Sequence, residues 1–287
     1  MKEPELLDLE LERVMLSVGI PPRPSILLEL AEESKKDDPN FHHIEHLVSS
    51  DVGLSAALLK TINSPFYGLR NKAGNIKQAI GMLGVTALTR VTSGMMVRKV
   101  FTAPGKINME RFWDASAKVA LTTSYIAKQL PGMNRDEAYT FGLFQDCGIP
   151  VLMQRFPDYK ETLGIANQTP ERKFTDIEGE RYNANHATTG YLLTKSWNMP
   201  EYLSSAIRFH HEHAMLADPQ SSLPKESKNL IAMALLAERA VQLHSGMNNS
   251  VEWLKGGKTA LFHLGLTESK FETIVADIKN IFEEEEE

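Results

Sequence analysis

Residues 51–68 read DVGLSAALLKTINSPFYG, an apolar helical segment followed by a turn. Asp51 can cap this helix, because its carboxylate accepts free amide hydrogens of the first turn and its charge suits the positive helix end. The NSP sequence at residues 63–65 predicts the end of the helix, since proline cannot continue it. Phe66 and Tyr67 follow, either as an aromatic anchor in the core or as part of a recognition surface.

Apolar residues recur at helical spacing on both sides of this segment, and alternating β-type runs are nearly absent. Proline and glycine divide the chain into pieces of ordinary helix length. The short polar segment APGKIN at residues 103–108 is the best candidate boundary between two units. The sequence therefore predicts an all-α fold with an N-terminal helical bundle at residues 1–105 and a larger C-terminal bundle at residues 106–287.

The composition limits the classes of function. The chain has 287 residues, of which 42% are hydrophobic, so it can bury a substantial core. Its single cysteine, Cys147, excludes an internal disulfide, and no apolar run approaches the roughly 20 residues that span a bilayer. The net charge of −6 and the glutamate-rich end argue against binding to a nucleic-acid backbone. We expect a cytoplasmic protein that neither enters a membrane nor binds nucleic acid in bulk.

Asp146 is the most informative ionisable residue. It lies in the apolar stretch FGLFQDCGIPVL, where an ionised carboxylate is costly to bury without a partner. Its role is either that of a structural carboxylate near the Cys147-Gly148 helix end or that of a metal ligand. No local feature decides between the two.

Histidines supply the other candidate ligands. His186 stands alone, whereas His210 and His211 are adjacent, and adjacent residues on a helix diverge by about 100°, so only one of them is expected to face a given site. His43 and His46 share a helix face but have no carboxylate arranged beside them, which favours a solvated surface. A glycine-rich phosphate loop and a nucleophile elbow are both missing from the sequence.

Seven segments resemble, in order and spacing, the HDOD domain, a relative of the HD phosphohydrolases. They are PPRP, SSDVGLSAALLKTINSPFYG, IKQAIGMLG, FWDASAKVA, AYTFGLFQDCG, ERYNANHATTGYLLTKSWNMP and AIRFHH. The resemblance covers roughly residues 16–245. It implies that the two helical bundles pack together as one HDOD module and that the C-terminal bundle is HD-like.

The resemblance also implies where metal ligands of HD hydrolases would fall. Two of these positions hold Ala115 and Gln145, and neither residue is a good ligand for a transition metal. A vestigial or weak metal site is therefore expected on the remaining residues, namely Asp146, His186, His210, His211 and Glu238. No cofactor is expected beyond a weakly bound divalent ion.

The resemblance implies a regulatory function. We predict a non-catalytic module of bacterial signal transduction that binds a protein partner or a small effector. The candidate effector or interface residues are Asn63, Ser64, Pro65, Phe66, Tyr67, Gly68 and Gln145. Two alternatives remain open, a metal-dependent phosphohydrolase acting on a nucleotide or phosphate ester, and a nucleotide-binding sensor without hydrolysis.

Overall fold

The computed structural model describes residues 19–21, 24–67, 69–101 and 109–286. Within these ranges the chain forms α-helices and one short 3-10 helix, and it contains no β-strand. The prediction of an all-α fold is confirmed. The proposed boundary at residues 105–106 and Gly68 lie outside the described residues.

The helices follow one another through short connections. The N-terminal helices are α1 (Ser25–Glu33), α2 (Phe41–Ser49), α3 (Val52–Ile62) and α4 (Ile76–Phe101). The remaining ones are α5 (Glu110–Gln129), α6 (Arg135–Phe144), α7 (Gly148–Arg155), α8 (Tyr159–Ala166), α9 (Phe174–Tyr182), α10 (His186–Ser196), α11 (Glu201–Phe209), the 3-10 helix His213–Leu216, α12 (Lys225–His244), α13 (Val251–His263) and α14 (Glu268–Glu286). None of the described helices is both long enough and apolar enough to cross a bilayer.

The start and end of α3 follow from its sequence. The carboxylate of Asp51 accepts a hydrogen bond from the backbone N–H of Leu54 at 3.1 Å, which confirms the predicted cap. Leu54, Leu58 and Ile62 are spaced four residues apart and are buried, so one face of α3 packs into the core. The helix ends at Ile62, directly before the NSP turn.

The turn after α3 anchors α3 to the C-terminal helices. The Phe66 ring lies 6.1 Å from that of Tyr125 on α5 and 5.0 Å from that of Phe282 on α14. Tyr67 packs against Tyr139 of α6 at 6.2 Å. Phe66 is 0% exposed and Tyr67 is 2% exposed, so both rings pack as anchors in the core.

Two further polar groups fix this turn. The side-chain amide of Asn63 donates to the carbonyl of Ala73 at 2.8 Å and accepts from its N–H at 2.7 Å. From the first turn of α6, the Arg135 guanidinium donates to the carbonyl oxygens of Phe66 at 2.8 Å and of Tyr67 at 3.0 Å. These charge-assisted bonds satisfy two backbone carbonyls that the turn leaves without helix partners.

Close backbone contacts then position the C-terminal helices. A Cβ atom at Gly142 of α6 would lie 2.8 Å from the Cα of Ala120 on α5, so these helices approach at a distance that only glycine permits. α12 is buried along most of its length and packs against α5, α11 and α13. The core of this part of the molecule therefore surrounds α12.

We predict that Arg135→Ala lowers the free energy of unfolding by about 2–4 kcal/mol, because it removes two charge-assisted hydrogen bonds and leaves two carbonyls unpaired. Urea denaturation followed by circular dichroism measures the change. Arg111→Ala, on the exposed side of α5, is the matched control and should change stability by less than about 0.5 kcal/mol. Equal effects of the two substitutions would contradict the anchoring role of Arg135.

Candidate metal centre

Asp146 lies in the short connection between α6 and α7. The residues it contacts are determined by Gly148, two positions further on. A Cβ atom at Gly148 would lie 2.1 Å from the carbonyl oxygen of His186 and 2.9 Å from the backbone nitrogen of Gly190. The backbone at the start of α7 therefore rests directly on the first turn of α10. This contact brings Asp146 next to His186.

His186 is the first residue of α10, and its ring is 1% exposed. The side chain of the preceding residue, Asn185, caps the helix by accepting from the N–H of Thr188 at 2.8 Å. The capped helix end fixes the direction in which the imidazole leaves the backbone. The Nε2 atom of His186 lies 3.4 Å from Oδ1 of Asp146.

His210 and His211 both face this site, which corrects the expectation that only one of them could. α11 ends at Phe209, and His210 is the residue that follows its last turn. His211 therefore does not continue the helix, and the 100° separation of adjacent helical residues does not apply to the pair. The ring centroids of the two histidines lie 4.1 Å apart.

The four side chains form a compact cluster, named here the Asp-His cluster and consisting of Asp146, His186, His210 and His211. One ligand atom from each lies within 4.8 Å of every other. The Nε2 atom of His186 is 3.2 Å from that of His210 and 3.0 Å from that of His211. Oδ1 of Asp146 is 3.5 Å from Nε2 of His210.

Each imidazole in the cluster is oriented through its other nitrogen. Nδ1 of His186 faces both carboxylate oxygens of Glu178 at 2.9 and 2.8 Å. Nδ1 of His210 donates to the carbonyl oxygen of Ile207 at 2.7 Å. Nδ1 of His211 lies 2.7 Å from a carboxylate oxygen of Glu252. All three Nδ1 atoms thus face hydrogen-bond acceptors, and in the neutral form of the rings the three Nε2 lone pairs point at one another.

Lone pairs this close repel each other unless a proton or a metal cation lies among them. Tetrahedral zinc with metal–nitrogen bonds of about 2.0–2.1 Å separates its ligand atoms by roughly 3.3–3.4 Å. The four separations given above for the Asp-His cluster run from 3.0 to 3.5 Å. Three imidazoles oriented by acceptors and one carboxylate are also the donor set that suits such an ion. The residues therefore fit a single divalent metal ion.

The electrostatics of the cluster follow from burial and from its mixed charges. Burial opposes ionisation of Asp146, but the hydrogen bond with His210 and the neighbouring imidazoles outweigh it and lower its pKa. Burial also opposes the charged form of His210, yet Asp146 raises its pKa. Burial and the adjacent His210 lower the pKa of His211 to about 3, which keeps that ring neutral at pH 7.

Glu238 and Gln145 form a separate pair beside the cluster. The amide of Gln145 donates to a carboxyl oxygen of Glu238, and the same nitrogen is 3.4 Å from Oδ2 of Asp146. Glu238 is not among the four groups that converge. Burial and the charge of Asp146 raise the pKa of Glu238 to about 8, so it is protonated at pH 7.

The other positions singled out in the sequence lie elsewhere. Ala115 is exposed on α5, and its methyl group adds no ligand atom. His46 is exposed, and His43 pairs with Glu29 at 3.6 Å. Among the described residues, neither of these two histidines belongs to a group that could hold a metal ion.

Two glutamates around the cluster, Glu178 and Glu252, were missed by sequence reasoning. Glu178 on α9 is 0% exposed, and it accepts from the hydroxyl of Tyr159 and from the backbone N–H of His186. Glu252 on α13 also contacts His213 at 2.9 Å. Glu178 lies on the helix that precedes His186, whereas Glu252 lies 41 residues beyond His211. The only signal that could have found them is the presence of glutamates at positions whose helical neighbours are apolar.

Comparison with known proteins gives the same fold. A crystal structure from Shewanella amazonensis SB2B, named for a proposed phosphohydrolase activity, has a TM-score of 0.67 at 21% identity and covers 93% of each chain. An HDOD domain protein of unknown function from Geobacter sulfurreducens also scores 0.67, at 22% identity, covering 96% of this chain and 94% of its own. A protein from Marinobacter aquaeolei VT8, named for a proposed role in signal transduction, scores 0.65 at 19% identity, covering 97% of this chain and 64% of its own. The class defined by fold and cluster is that of all-helical, HD-like proteins.

The family follows from the sequence match. The model of the HDOD domain matches residues 20–213, and the chain belongs to the HDOD family. An uncharacterised protein of Treponema pallidum is 26% identical over 285 residues, covering 93% of this chain and 50% of its own length. The chain thus spans about half the length of the curated relative that it matches.

We predict that Glu178→Gln weakens the binding of Zn²⁺ by about 10- to 100-fold, because an amide cannot hold the His186 Nδ1–H as the carboxylate does. Competition with a fluorescent chelator measures the affinity. Glu171→Gln, at an exposed position, is the matched control and should leave the affinity unchanged. Similar affinities of the two variants would show that Glu178 does not orient the ligand.

Proposed function

We propose that this HDOD protein is a non-catalytic regulatory module of bacterial signal transduction that holds one divalent metal ion on the Asp-His cluster. The convergence of three Nε2 atoms and one Asp146 oxygen, each imidazole oriented through Nδ1, carries the metal part of the proposal. The ion would link α10 and the end of α11 to the connection between α6 and α7. Its role is to stabilise the arrangement of these helices, and the module acts by binding a protein partner or a small effector.

The surroundings of the cluster argue against a two-metal hydrolase. A second ion needs further ligands, yet Gln145 and Glu238 are bonded to each other. The other convergent group, His211, His213 and Glu252, shares His211 with the cluster, and its Glu252 carboxylate already pairs with both histidines and with Lys255. The cavity that borders the cluster between Gln145 and Glu252 has a volume of about 10 Å³, close to that of one water molecule. This volume is far below the roughly 300–1,000 Å³ of small-molecule sites, which favours the regulatory proposal over nucleotide hydrolysis.

The regulatory part of the proposal rests on the family and on one neighbour. The chain belongs to the HDOD family, and the similar protein of M. aquaeolei is named for a proposed role in signal transduction. The S. amazonensis structure is instead named for a proposed phosphohydrolase activity. Metal content and hydrolysis must therefore be measured together.

We expect the purified protein to retain about one equivalent of zinc per chain when analysed by inductively coupled plasma mass spectrometry. His186→Ala should lose this metal, because it removes the ligand at the centre of the cluster. His42→Ala, at an exposed position, is the control and should retain it. Zinc should raise the melting temperature of the wild-type protein and of the control, but not that of His186→Ala.

The same preparations, supplied with Mn²⁺, should not hydrolyse bis(p-nitrophenyl) phosphate above the rate of His186→Ala. Two equivalents of metal with turnover that is lost in Asp146→Ala would replace the regulatory assignment with that of a phosphohydrolase. Retention of metal by His186→Ala would exclude the Asp-His cluster as the binding site.

A further inference from the structure

A cavity of about 450 Å³ lies between the N-terminal helices and the C-terminal bundle, and none of the residues that line it belongs to the Asp-His cluster. Its volume falls within the roughly 300–1,000 Å³ typical of small-molecule sites. We name it the inter-bundle cavity. Its walls are formed by α3, α4, α5 and α6, with the described lining residues Asp51, Gly53, Leu54, Ala57, Thr61, Met95, Lys99, Trp113, Ala117, Tyr139 and Leu143.

The cavity is open because the helix faces that bound it carry small residues. On α3, Gly53, Ala57 and Thr61 are spaced four residues apart and share one side of the helix. Gly53 and Ala57 are exposed, which leaves the cavity accessible from solvent. The deeper walls are apolar and aromatic, with Trp113 1% exposed and Tyr139 3% exposed. An apolar group that enters would exchange water for aromatic and aliphatic contacts.

One charged pair lies within the described lining. The Lys99 ammonium and the Asp51 carboxylate form an ion pair, with side chains 57% and 25% exposed. A charged ligand head would be attracted to one member of this pair and repelled by the other. An uncharged head with one donor and one acceptor, such as an amide, can bond to the carboxylate and the ammonium without separating them.

The cavity also lies along the helix that leads to the metal centre. Tyr139 and Leu143 of α6 line it, while Arg135 at the start of α6 holds the turn after α3. Asp146 follows the C-terminal end of the same helix. A ligand in the cavity would therefore contact the element that connects the anchoring turn with the Asp-His cluster.

We propose that the inter-bundle cavity binds a small amphiphile with an apolar tail and an uncharged amide-type head, the tail against Trp113 and Leu143 and the head at the Asp51–Lys99 pair. This ligand would be the small effector of the module. Its regulatory role rests on the proposed function, whereas the binding site does not.

Calorimetric titration of the intact protein with octanamide tests the proposal. We expect saturable binding to one site. Ala57→Phe fills the cavity and should weaken binding by at least about tenfold, equivalent to 1.4 kcal/mol. Ala56→Phe, the same change at the neighbouring exposed position of α3 outside the lining, should bind octanamide as the wild type does. Circular dichroism of both variants checks that they remain folded.

Octanoate and octylamine distinguish the head group, and both should bind more weakly than octanamide because Asp51 repels the carboxylate and Lys99 repels the ammonium. No saturable binding to the wild type, or equal binding by Ala57→Phe and Ala56→Phe, would overturn the site. Equal affinities for the three ligands would overturn the amide head. None of these outcomes depends on metal content, so failure here is separate from failure of the proposed metal centre.

Discussion

The contact between Gly148 and the first turn of α10 is the constraint on which the Asp-His cluster depends. Any side chain at this position would place its Cβ atom 2.1 Å from the carbonyl of His186, a distance that no relaxation of side chains can relieve because the obstacle is backbone. With glycine there, the connection after α6 and the beginning of α10 touch directly. The carboxylate of Asp146 and the imidazole of His186 therefore meet although 40 residues separate them in the sequence.

Buried carboxylates around the cluster set the chemistry of the imidazoles. Glu178 and Glu252 lose water on burial, and such groups persist in proteins when donors replace the lost solvent. Glu178 receives donors from Tyr159 and His186, and Glu252 receives them from two histidines and from Lys255 at 2.8 Å. Because these acceptors hold the Nδ1 hydrogens, the Nε2 atoms are left as ligands. When the imidazoles are neutral, the carboxylates of Asp146, Glu178 and Glu252 outnumber the one nearby ammonium, that of Lys255. A divalent cation would offset this excess of negative charge.

Sequence reasoning identified the fold and most of the cluster, but not its geometry. The Asp51 cap, the end of α3 and the all-helical fold follow from local rules that act within a few residues. The choice of Asp146 as the informative carboxylate came from the same kind of rule, since a charge in an apolar stretch needs a partner. The joint use of His210 and His211 could not be predicted, because it depends on the helix ending at Phe209 rather than one turn later.

Gln145 illustrates why a substituted ligand position does not by itself decide whether a metal ion is held. The glutamine suggested an eroded centre, and its amide indeed bonds to Glu238 instead of joining the cluster. The effect of that bond is local, since it ties Gln145 to Glu238 while three imidazoles and Asp146 still converge beside them. Protonated Glu238 also limits the negative charge next to Asp146 at pH 7. The same substitution that argues against a two-metal centre is therefore compatible with firm binding of one ion.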